Sequence, residues 1–446
     1  KYEVNLEAFS QVIEDKKKDA IDRNTLVKVL KSQYAQLETT EIIEKNIEAL
    51  LDKETFTVTT AHQPSLFTGP LYFIYKIIST LNLAGQLNRR YPNQYFVPVF
   101  ITGGEDHDFE EINHANLFNK TIIWENEESG AVGQMKTSSL SSALAELKEI
   151  LGESDKAREA YALIEGAYTR HKTYGMATVH LVNELFKSDG LIVLNPNHPE
   201  LKRLFRPFIE KEIVEQVSKE FVESTTLKLE KAGFSGQAYA REINFFYLRD
   251  QIRERIVQNG SGYEVLNTDY KFSESELKTE IQNHPERFSP NVIMRPLYQE
   301  LILPNLAYIG GGGELAYWLE RKTQFEFFGL NFPMLIRRNS VLWVDKGGAK
   351  RLEKLGMDIE EFFPDVEDII KSYVKKNTEN ELNLNQEKKA LNDLFDSVNS
   401  KAISIDPTLG KTVLAEKSKQ LKLLEQLESR LMRAEKQRHD IAINQI

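Results

Sequence analysis

The spacing of apolar positions divides the chain into helical and strand-like segments. Through residues 1–54, apolar side chains recur every three or four positions, which predicts amphipathic helices. Thr55 to Thr60 then reads TFTVTT, a β-branched run typical of a strand, and Leu71 to Leu87 returns to helical spacing. The almost continuous apolar run from Phe96 to Ile101 is typical of a strand buried on both faces. These segments predict a strand–helix–strand crossover, the unit of a parallel sheet.

Later apolar runs predict that the parallel sheet continues. Gly190 to Asn195, Val292 to Met294 and Leu306 to Ile309 are short apolar runs, each followed within two residues by proline or glycine. Leu335 to Arg338 and Val341 to Val344 are similar runs that complete the predicted core. Strands that alternate with helical segments are typical of an α/β fold built on a parallel sheet. We therefore predict the α/β class.

Composition and periodicity divide the chain into three segments. Residues 1–54 form an N-terminal helical segment, and residues 55–360 form the α/β core. Within the core, residues 120–185 interrupt the strand pattern with helical spacing, which predicts an insertion. From residue 361 the chain is rich in Lys, Glu, Gln and Leu, and a break at Ile405-Asp406-Pro407 separates two arms. This pattern predicts an antiparallel helical coiled-coil hairpin over residues 361–446.

The predicted hairpin carries one apolar seam. Leu424, Leu427 and Leu431 follow heptad spacing, so we expect them to face the first arm. One thin seam cannot bury every apolar residue of the two arms, which favours a further contact with the core or with a second chain. The expected partners in the first arm are Leu391, Leu394 and Val398.

The composition is that of an ordinary globular protein. The chain has 446 residues, of which 41% are hydrophobic and 28% charged, so it can bury a sizeable core. Its formal net charge of -10 disfavours a nucleic-acid coat or a binder of anionic membranes. No apolar run approaches the roughly 20 residues of a membrane helix, and the charged first residues do not resemble a signal peptide. The lack of cysteine excludes disulfides and a cysteine nucleophile, and the cytoplasm is the default location.

A dense group of ionisable residues follows the predicted strand that ends at Ile101. Open α/β sheets bind ligands just beyond the carboxyl ends of their strands, so this position favours a site. A helix start would explain several carboxylates, because acidic residues suit a first helical turn, but it does not explain the histidines. A metal site is the other alternative, but no HExxH motif occurs and the seven-residue histidine spacing matches no compact ligand motif, so we assign none. The candidates are Gly103, Gly104, Glu105, Asp106, His107, Asp108 and His114.

A second candidate loop follows the predicted strand Thr55 to Thr60. A helix N-terminus after such a loop readily accepts an anion. Tyr72 and Lys76 lie four residues apart and share a helix face. In the alternative interpretation, Tyr72 is a core aromatic residue and Lys76 extends to solvent. The candidates are His62, Gln63, Gly69, Tyr72 and Lys76.

Four consecutive glycines follow the predicted strand Leu306 to Ile309. Glycine lets a ligand approach the backbone closely, but the spacing gives neither G-x-G-x-x-G nor G-x-x-x-x-G-K-[ST]. Glu314 in the next helical turn would repel a phosphate, which favours a ligand with an amino group. The alternative is a flexible turn followed by a helix-starting glutamate. The candidates here are Arg295, Gly310, Gly311, Gly312, Gly313, Glu314 and Tyr317.

Five blocks of the sequence carry a family resemblance. They are TAHQPSLFTGPLYFIYKIIS (60–79), VPVFITGGEDHDFEEINHA (97–115), REINFFYLRDQIRERI (241–256), PNVIMRPLYQELILPNLAYIGGGGELAYWLERK (290–322) and RAEKQRHDIAINQI (433–446). With these blocks the chain resembles, over nearly its whole length, the BshC family, the cysteine-adding enzymes of bacillithiol synthesis. The resemblance implies a Rossmann-like core with inserted segments, a helical coiled-coil stalk and a homodimer.

The resemblance also implies a reaction. It is the addition of L-cysteine to glucosaminyl malate through an amide bond, the last step of bacillithiol biosynthesis. Because a free carboxylate is a poor acyl donor, we expect ATP with Mg²⁺ as the activating cosubstrate. Two features depart from the family pattern. Members commonly show Gly-Gln-Gln where this chain has Ala61-His62-Gln63, and they usually continue past the stalk with a further segment.

The expected proton-transfer roles come from side-chain chemistry. An unperturbed histidine titrates near pH ~6.5, so we expect His107 to be the general base, oriented by Asp106 or Asp108. We expect His62 to border the nucleotide or to stabilise developing negative charge.

The expected binding roles follow from charge. Arg295 and Lys76 would bind the malate carboxylates or a phosphate, since arginine pairs with both in a bidentate geometry. Glu314 would bind an ammonium group. Other substrate-binding candidates are Gln63, Tyr72, Glu105, His114 and Tyr317, and the cofactor-binding candidates are Gly69, Gly103, Gly104, Gly310, Gly311, Gly312 and Gly313.

Two other functions are compatible with the sequence. One is an adenylating or nucleotidyl-transferring enzyme with another substrate, which the same core would suit. The other is a non-catalytic coiled-coil adaptor whose core binds a ligand without turnover. In an adaptor the stalk would be the main contact surface, and the polar loops would tolerate alanine.

Overall fold

Parallel and antiparallel strands form separate sheets in this protein. A computed structural model describes residues 2–378 and 382–445, and these contain twelve strands in three sheets. In chain order the strands are β1 (Thr55–His62), β2 (Tyr95–Thr102), β3 (His114–Leu117), β4 (Lys120–Ile123), β5 (Ile192–Leu194), β6 (Phe245–Arg249), β7 (Ile252–Asn259), β8 (Gly262–Val265), β9 (Lys271–Ser273), β10 (Phe288–Pro290), β11 (Asn305–Gly310) and β12 (Met334–Arg337).

Helices cover both faces of the parallel sheet and make up the C-terminal part of the chain. In chain order they are α1 (Phe9–Lys16), α2 (Arg23–Tyr34), α3 (Glu41–Ala49), α4 (Tyr72–Arg90), α5 (Phe109–Ile112), α6 (Ser141–Leu151), α7 (Asp155–Arg170), α8 (Tyr174–Phe186), α9 (Pro199–Glu215), α10 (Ser218–Lys231), α11 (Glu274–Asn283), α12 (Arg295–Ile302), α13 (Gly312–Leu319), α14 (Lys322–Phe328), α15 (Lys346–Leu355), α16 (Val366–Asn377), α17 (Asn385–Ile405), α18 (Leu409–Arg438) and α19 (Asp440–Ile443).

The central sheet is fully parallel and has the spatial order β12-β11-β1-β2-β5. From β1 the chain first builds outward through β2 to β5, and then returns to add β11 and β12 on the other side. The chain order therefore reverses between β1 and β11. Helices on both sides of such a sheet confirm the predicted α/β class.

Each face of the parallel sheet is buried beneath helices. On one face, Phe9 of α1 and Leu83 of α4 cluster with Phe56 of β1. The opposite face packs against α2, α9 and α12, where Leu26 and Phe205 join one large buried cluster. The helices of residues 1–54 thus belong to the same packed unit as the sheet, because they supply part of its apolar cover.

Contacts divide the chain into two units, residues 1–340 and residues 341–446. This division falls twenty residues before the boundary that the sequence suggested at residue 360. The run Val341 to Val344, predicted to join the core, forms no strand and its side chains are exposed. It therefore adds no strand to the parallel sheet.

The structure corrects one further element prediction. Val292 to Met294 is a turn and not a strand, because the Asn291 side chain accepts the Ile293 backbone N–H at 2.8 Å and α12 begins at Arg295. Helix α8 lies at the C-terminal end of the insertion predicted at about residues 120–185. Helix α8 clusters with the sheet through Val179, Val182 and Phe186, so it is the crossover that leads to β5.

The short strands predicted after residue 241 belong to an antiparallel sheet of order β10-β6-β7-β8-β9. Tyr247 and Phe288 from this sheet belong to the same buried cluster as the parallel sheet. The antiparallel sheet is therefore packed into the first unit, and its strand β7 reaches the carboxyl ends of the parallel strands.

In the second unit α17 and α18 form the predicted helical hairpin. Ion pairs cross it at Lys388–Glu428, 2.5 Å, and at Lys417–Asp396, 2.6 Å. The predicted seam is only partly right. Leu391 and Leu424 are half-buried, whereas Leu394, Val398, Leu427 and Leu431 are exposed. The ion-paired positions place the contact along the face of residues 417, 421, 424 and 428, so Leu427 and Leu431 lie outside it.

Candidate active site

The carboxyl ends of the parallel strands border a cavity of about 540 Å³. Residues after β1, β2 and β5 form one side, and α12 and α13 form the other. The strand order reverses at this edge, which is where open α/β sheets bind ligands. Predicted candidates that line the cavity are His62, Gln63, Tyr72, Gly103, Glu105, Asp106, Arg295, Glu314 and Tyr317.

A buried ion pair between Lys76 and Glu314 closes the cavity beside β1. Lys76 is 1% exposed, and its Nζ lies 2.8 Å from both carboxylate oxygens of Glu314 and also donates to the Ala61 carbonyl. Glu314 further accepts from the Tyr308 hydroxyl at 2.9 Å and from the Gly311 N–H at 2.8 Å. Burial opposes ionisation of Glu314, but these partners outweigh it and hold its pKa below the ordinary value. The ammonium group expected at Glu314 is thus supplied by Lys76.

His62, the last residue of β1, is a neutral hydrogen-bond acceptor. Its Nδ1 lies 2.9 Å from the Gln63 carbonyl oxygen, which can only accept, so Nδ1 carries the proton and Nε2 keeps a lone pair. Burial, together with the ammonium of Lys76, lowers the pKa of His62 to about 4. Its ring packs against Tyr72 and Phe73, with centroids 5.5 and 5.2 Å away.

Asp106 is fixed by donors from three directions. Gln63 Nε2 donates to Oδ2 at 2.8 Å, while Arg253 Nη1, at 3.3 Å, and the His107 backbone N–H, at 2.8 Å, donate to Oδ1. Burial opposes ionisation, but His107, Arg253 and Gln63 outweigh it and hold the pKa of Asp106 well below its usual range. Asp106 is therefore a permanent carboxylate that positions the arginine.

His107 lies beside this cavity and not in it. Its half-exposed ring lines a neighbouring cavity of about 730 Å³, and Arg253 Nη1 lies 2.6 Å from its Nδ1. Because a guanidinium can only donate, Nδ1 is the acceptor and the proton of the neutral ring is on Nε2. The lone pair that a general base needs is therefore occupied by Arg253.

Glu105 contacts a buried lysine. Lys202 of α9 is fully buried, and its Nζ lies 2.8 Å from Glu105 Oε1 and 3.0 Å from the Phe288 carbonyl oxygen. The same ammonium lies 5.1 Å from the ring centroid of Tyr298. Glu105 therefore holds α9 and the antiparallel sheet to the end of β2.

Arg295 supplies a cation to the cavity. It begins α12, lines the cavity, and donates from Nη2 to the Tyr317 hydroxyl at 2.5 Å. Within residues 2–378 and 382–445, no carboxylate forms an ion pair with its guanidinium. A half-buried guanidinium in such a place suits an anionic group of a ligand.

Four of the candidate glycines divide into two classes. A Cβ at Gly103 would lie 3.2 Å from the His62 carbonyl oxygen, and one at Gly104 would lie 3.3 Å from Gly133, so chain packing accounts for both. Gly312 and Gly313 are exposed, and an added Cβ at either would meet nothing within 4 Å. Packing does not require glycine at these two positions, which leaves their backbone open to a ligand.

Three further candidates lie away from the central cavity. Gly69 and His114 line a third cavity of about 790 Å³, which His62, Gln63 and Tyr72 also border. Asp108 is exposed at the start of α5, makes no capping hydrogen bond, and lines none of these three cavities.

Several residues of the site were not expected from the sequence. Arg253 of β7 contacts Asp106 from 147 positions away, and Lys202 and Tyr298 flank Glu105. Arg338 follows β12, and its guanidinium carbon lies 5.1 Å from the ring centroid of Tyr72. Of these residues, only Arg253 and Tyr298 could have been found from the sequence, because both lie in blocks that carry the family resemblance.

Arg295 makes the cavity suitable for a carboxylate or a phosphate, and His62 adds a hydrogen-bond acceptor. Within the described ranges, no three His, Asp or Glu side chains are arranged to coordinate a metal ion. None of the helices found there is long and apolar enough to cross a bilayer.

Comparison with known proteins identifies the family. Residues 1–339 match the family described as "Bacillithiol biosynthesis BshC, N-terminal Rossmann-like domain", and residues 341–446 match its C-terminal coiled-coil domain. Three similar proteins share the name "Putative cysteine ligase BshC". The protein of Flavobacterium psychrophilum is 41% identical over all of this chain and 84% of its own length, and that of Flavobacterium johnsoniae is 42% identical over 97% and 82%. The protein of Bacillus cereus is 30% identical over 99% of this chain and 85% of its own length. The chain therefore belongs to the BshC family of bacillithiol biosynthesis.

Proposed function

We propose that the protein is a ligase that joins the carboxyl group of L-cysteine to the amino group of glucosaminyl malate in the cytoplasm. Family membership supports the reaction class, and the relatives' shared name supports cysteine as a substrate. The observation that carries the proposal is Arg295, a cation that pairs with no carboxylate of the described residues and lines the cavity at the reversal of strand order. The malyl group carries two carboxylates, and guanidinium is a preferred partner for such groups.

The glycine segment after β11 is the proposed nucleotide site. Gly312 and Gly313 leave the backbone open at the N-terminus of α13, where helix N–H groups favour a phosphate. Glu314 was expected to repel phosphate there. However, the Lys76 ammonium, 2.8 Å away, compensates its charge. Arg338 adds a positive charge near this segment. These residues fit ATP, whose Mg²⁺ would be held mainly by phosphate oxygens and water.

The proposed reaction couples amide formation to nucleotide cleavage. A cysteine carboxylate oxygen attacks a phosphorus atom of ATP, and either ADP or pyrophosphate leaves. The amino nitrogen of glucosaminyl malate then attacks the activated carbonyl carbon. Phosphate or AMP leaves with the former carboxylate oxygen, and the nitrogen loses a proton. The protein contributes by holding the two reactants in one orientation, which can supply a large part of the rate enhancement.

We assign His107 a different role from the general base that its sequence position suggested. With Nδ1 accepting from Arg253, the ring donates from Nε2, so His107 suits an oxygen that gains negative charge. Base action would require Arg253 to release Nδ1. His62, whose Nε2 keeps a lone pair, is placed to accept a hydrogen bond from the substrate amine and so orient it.

The proposed assembly is a homodimer through the helical hairpin. Leu394, Val398, Leu427 and Leu431 are exposed on it in spite of their apolar side chains. A second chain of the same kind would bury them.

Arg295 offers a test of the proposed site. Replacement by glutamine should raise the KM for glucosaminyl malate about tenfold or more, because a hydrogen bond between charged groups is worth about 1.5–3 kcal/mol. Arg295→Lys should recover only part of this, since an ammonium cannot pair in a bidentate geometry. Arg203→Gln, an exposed position on α9, is the matched control. An unchanged KM for glucosaminyl malate in Arg295→Gln, measured by mass spectrometry of the product, would remove the malyl site from this cavity.

A further inference from the structure

The second cavity, of about 730 Å³, has no assigned ligand. It lies between the start of β7, the turn that links β8 to β9, and the segment Glu128–Gly130. Arg253 lines both this cavity and the cavity of about 540 Å³ beside it. The two cavities therefore share one wall, and that wall contains the Asp106–Arg253–His107 cluster.

Arg253 keeps one end of its guanidinium free. Its side chain is 5% exposed, yet Nη1 contacts Asp106 and His107, and Nε donates to the Ser289 hydroxyl at 3.2 Å. Within the described residues, no group accepts a hydrogen bond from Nη2. A deeply buried guanidinium with free N–H groups at a cavity wall can donate them to a small carboxylate.

The rest of the second cavity is acidic. Three carboxylates line it, those of Glu128, Glu254 and Asp269, and Arg253 is the only guanidinium or ammonium among its lining residues. Glu128 has Lys136 3.6 Å away, whereas Glu254 and Asp269 form no ion pair within the described residues. This side of the cavity therefore suits a cation.

A ligand that satisfies both sides carries a carboxylate at one end and an ammonium group a few bonds away. An α-amino acid has this structure. Phe109, Met135 and Ile252 also line the cavity and supply apolar surface for a small side chain. Methionine sulfur and aromatic rings are compatible neighbours for a thiol.

We propose that the second cavity is the amino-acid subsite, which in the proposed reaction holds L-cysteine. Its carboxylate binds Arg253 Nη2, and its ammonium binds the side formed by Glu254 and Asp269. This assignment rests on the proposed function and places the two substrates in adjoining cavities that meet at Arg253. Because Arg253 lines both cavities, the proposal places the cysteine carboxylate where the two cavities meet, next to the substrate whose malyl group binds Arg295.

The test compares two variants by steady-state kinetics of product formation. Glu254→Gln/Asp269→Asn removes the charges that would hold the ammonium, so the KM for L-cysteine should rise about 10- to 100-fold. The KM for glucosaminyl malate should stay within about twofold of the parent value. Glu264→Gln, on β8 and outside both cavities, is the matched control and should leave every KM unchanged.

A substrate analogue tests the ammonium directly. The probe is 3-mercaptopropionate, which keeps the carboxylate and thiol of cysteine but lacks the ammonium. As a competitive inhibitor of the parent it should bind about tenfold or more weakly than cysteine, and in Glu254→Gln/Asp269→Asn the two affinities should converge. Because the analogue carries no ammonium, a variant that had merely lost its fold would bind both compounds worse.

Different results would contradict the amino-acid subsite and the proposed function. If product forms but the double variant keeps the parent KM for cysteine, the amino-acid subsite lies elsewhere and the ligase function stands. If the parent forms no product from cysteine, glucosaminyl malate and ATP with Mg²⁺, the proposed function is wrong. The subsite assignment, which rests on that function, is then wrong as well.

Discussion

The Lys76–Glu314 pair allows a quantitative prediction about what holds the site together. Removing one member of a buried ion pair typically costs about 3–5 kcal/mol, because the other charge is left without its partner. The two members are not equally buried, since Lys76 is 1% exposed and Glu314 is 27% exposed. In Glu314→Gln the lysine ammonium would keep only neutral acceptors in a dry environment. We therefore expect a loss of about 3–4 kcal/mol in the free energy of unfolding.

The reverse replacement should cost less. In Lys76→Met the glutamate keeps the Tyr308 hydroxyl and the Gly311 N–H as donors, and water reaches it. We expect a loss of about 2 kcal/mol, within the range of about 1–3 kcal/mol that an unsatisfied buried group costs. The double variant Lys76→Met/Glu314→Gln should lose less than the sum of the two single variants by about 2 kcal/mol, because residues in contact are not additive.

Urea unfolding followed by tryptophan fluorescence measures these changes. Trp318 stacks on Tyr308 with ring centroids 4.5 Å apart, so it reports on the part of the first unit that contains the pair. Because Trp343 belongs to the second unit, a Trp343→Phe background separates the two signals. Single variants within about 0.5 kcal/mol of the parent, or strictly additive effects, would show that the pair does not stabilise this edge of the sheet.

Three further predictions concern a buried acid, a cavity histidine and the hairpin. Burial raises the pKa of Glu212 from 4.5 to about 7, so its favourable contribution is complete below pH 4.5 and is lost as the pH rises through 7. This amounts to about 3 kcal/mol, and in denaturation series from pH 5 to 9 Glu212→Gln should be less pH-dependent than the parent. His62→Gln should keep product formation within about threefold, because an amide oxygen can also accept from the amine, whereas His62→Leu should lose about tenfold or more; equal rates for both would exclude the acceptor role. Light scattering should give a dimer for the parent and a monomer for Leu427→Glu/Leu431→Glu, and a variant that stays dimeric would place the interface off the hairpin.

Local sequence patterns were sufficient to predict the strands of the parallel sheet. β1, β2 and β11 are apolar or β-branched runs that end in a loop rich in polar residues or glycine, and this signal depends only on neighbours in the sequence. The strand prediction for Val292 to Met294 was wrong because a three-residue apolar run does not distinguish a strand from a buried turn. There the Asn291 side chain, which holds the turn, decides the conformation.

Only part of the candidate site could be predicted from the sequence. Residues at the ends of β1 and β2 were found because the sheet edge brings them together, whereas Arg253 arrives on a separate antiparallel sheet. Its contact with His107 changes which nitrogen of the imidazole is free. No local pattern encodes such a contact between distant segments. In the hairpin, heptad spacing identified leucines but not which face of α18 meets α17.

Isotope transfer from the cysteine carboxylate tests the central claim most directly. L-Cysteine labelled with ¹⁸O in both carboxylate oxygens is incubated with the protein, glucosaminyl malate and ATP with Mg²⁺. A nucleotide-activated ligase should leave one ¹⁸O in the amide and transfer the other to inorganic phosphate or to AMP, and omission of any one component should abolish the product. An amide that forms without ATP, or that forms while the second ¹⁸O appears in water and neither phosphate nor AMP carries label, would contradict the account.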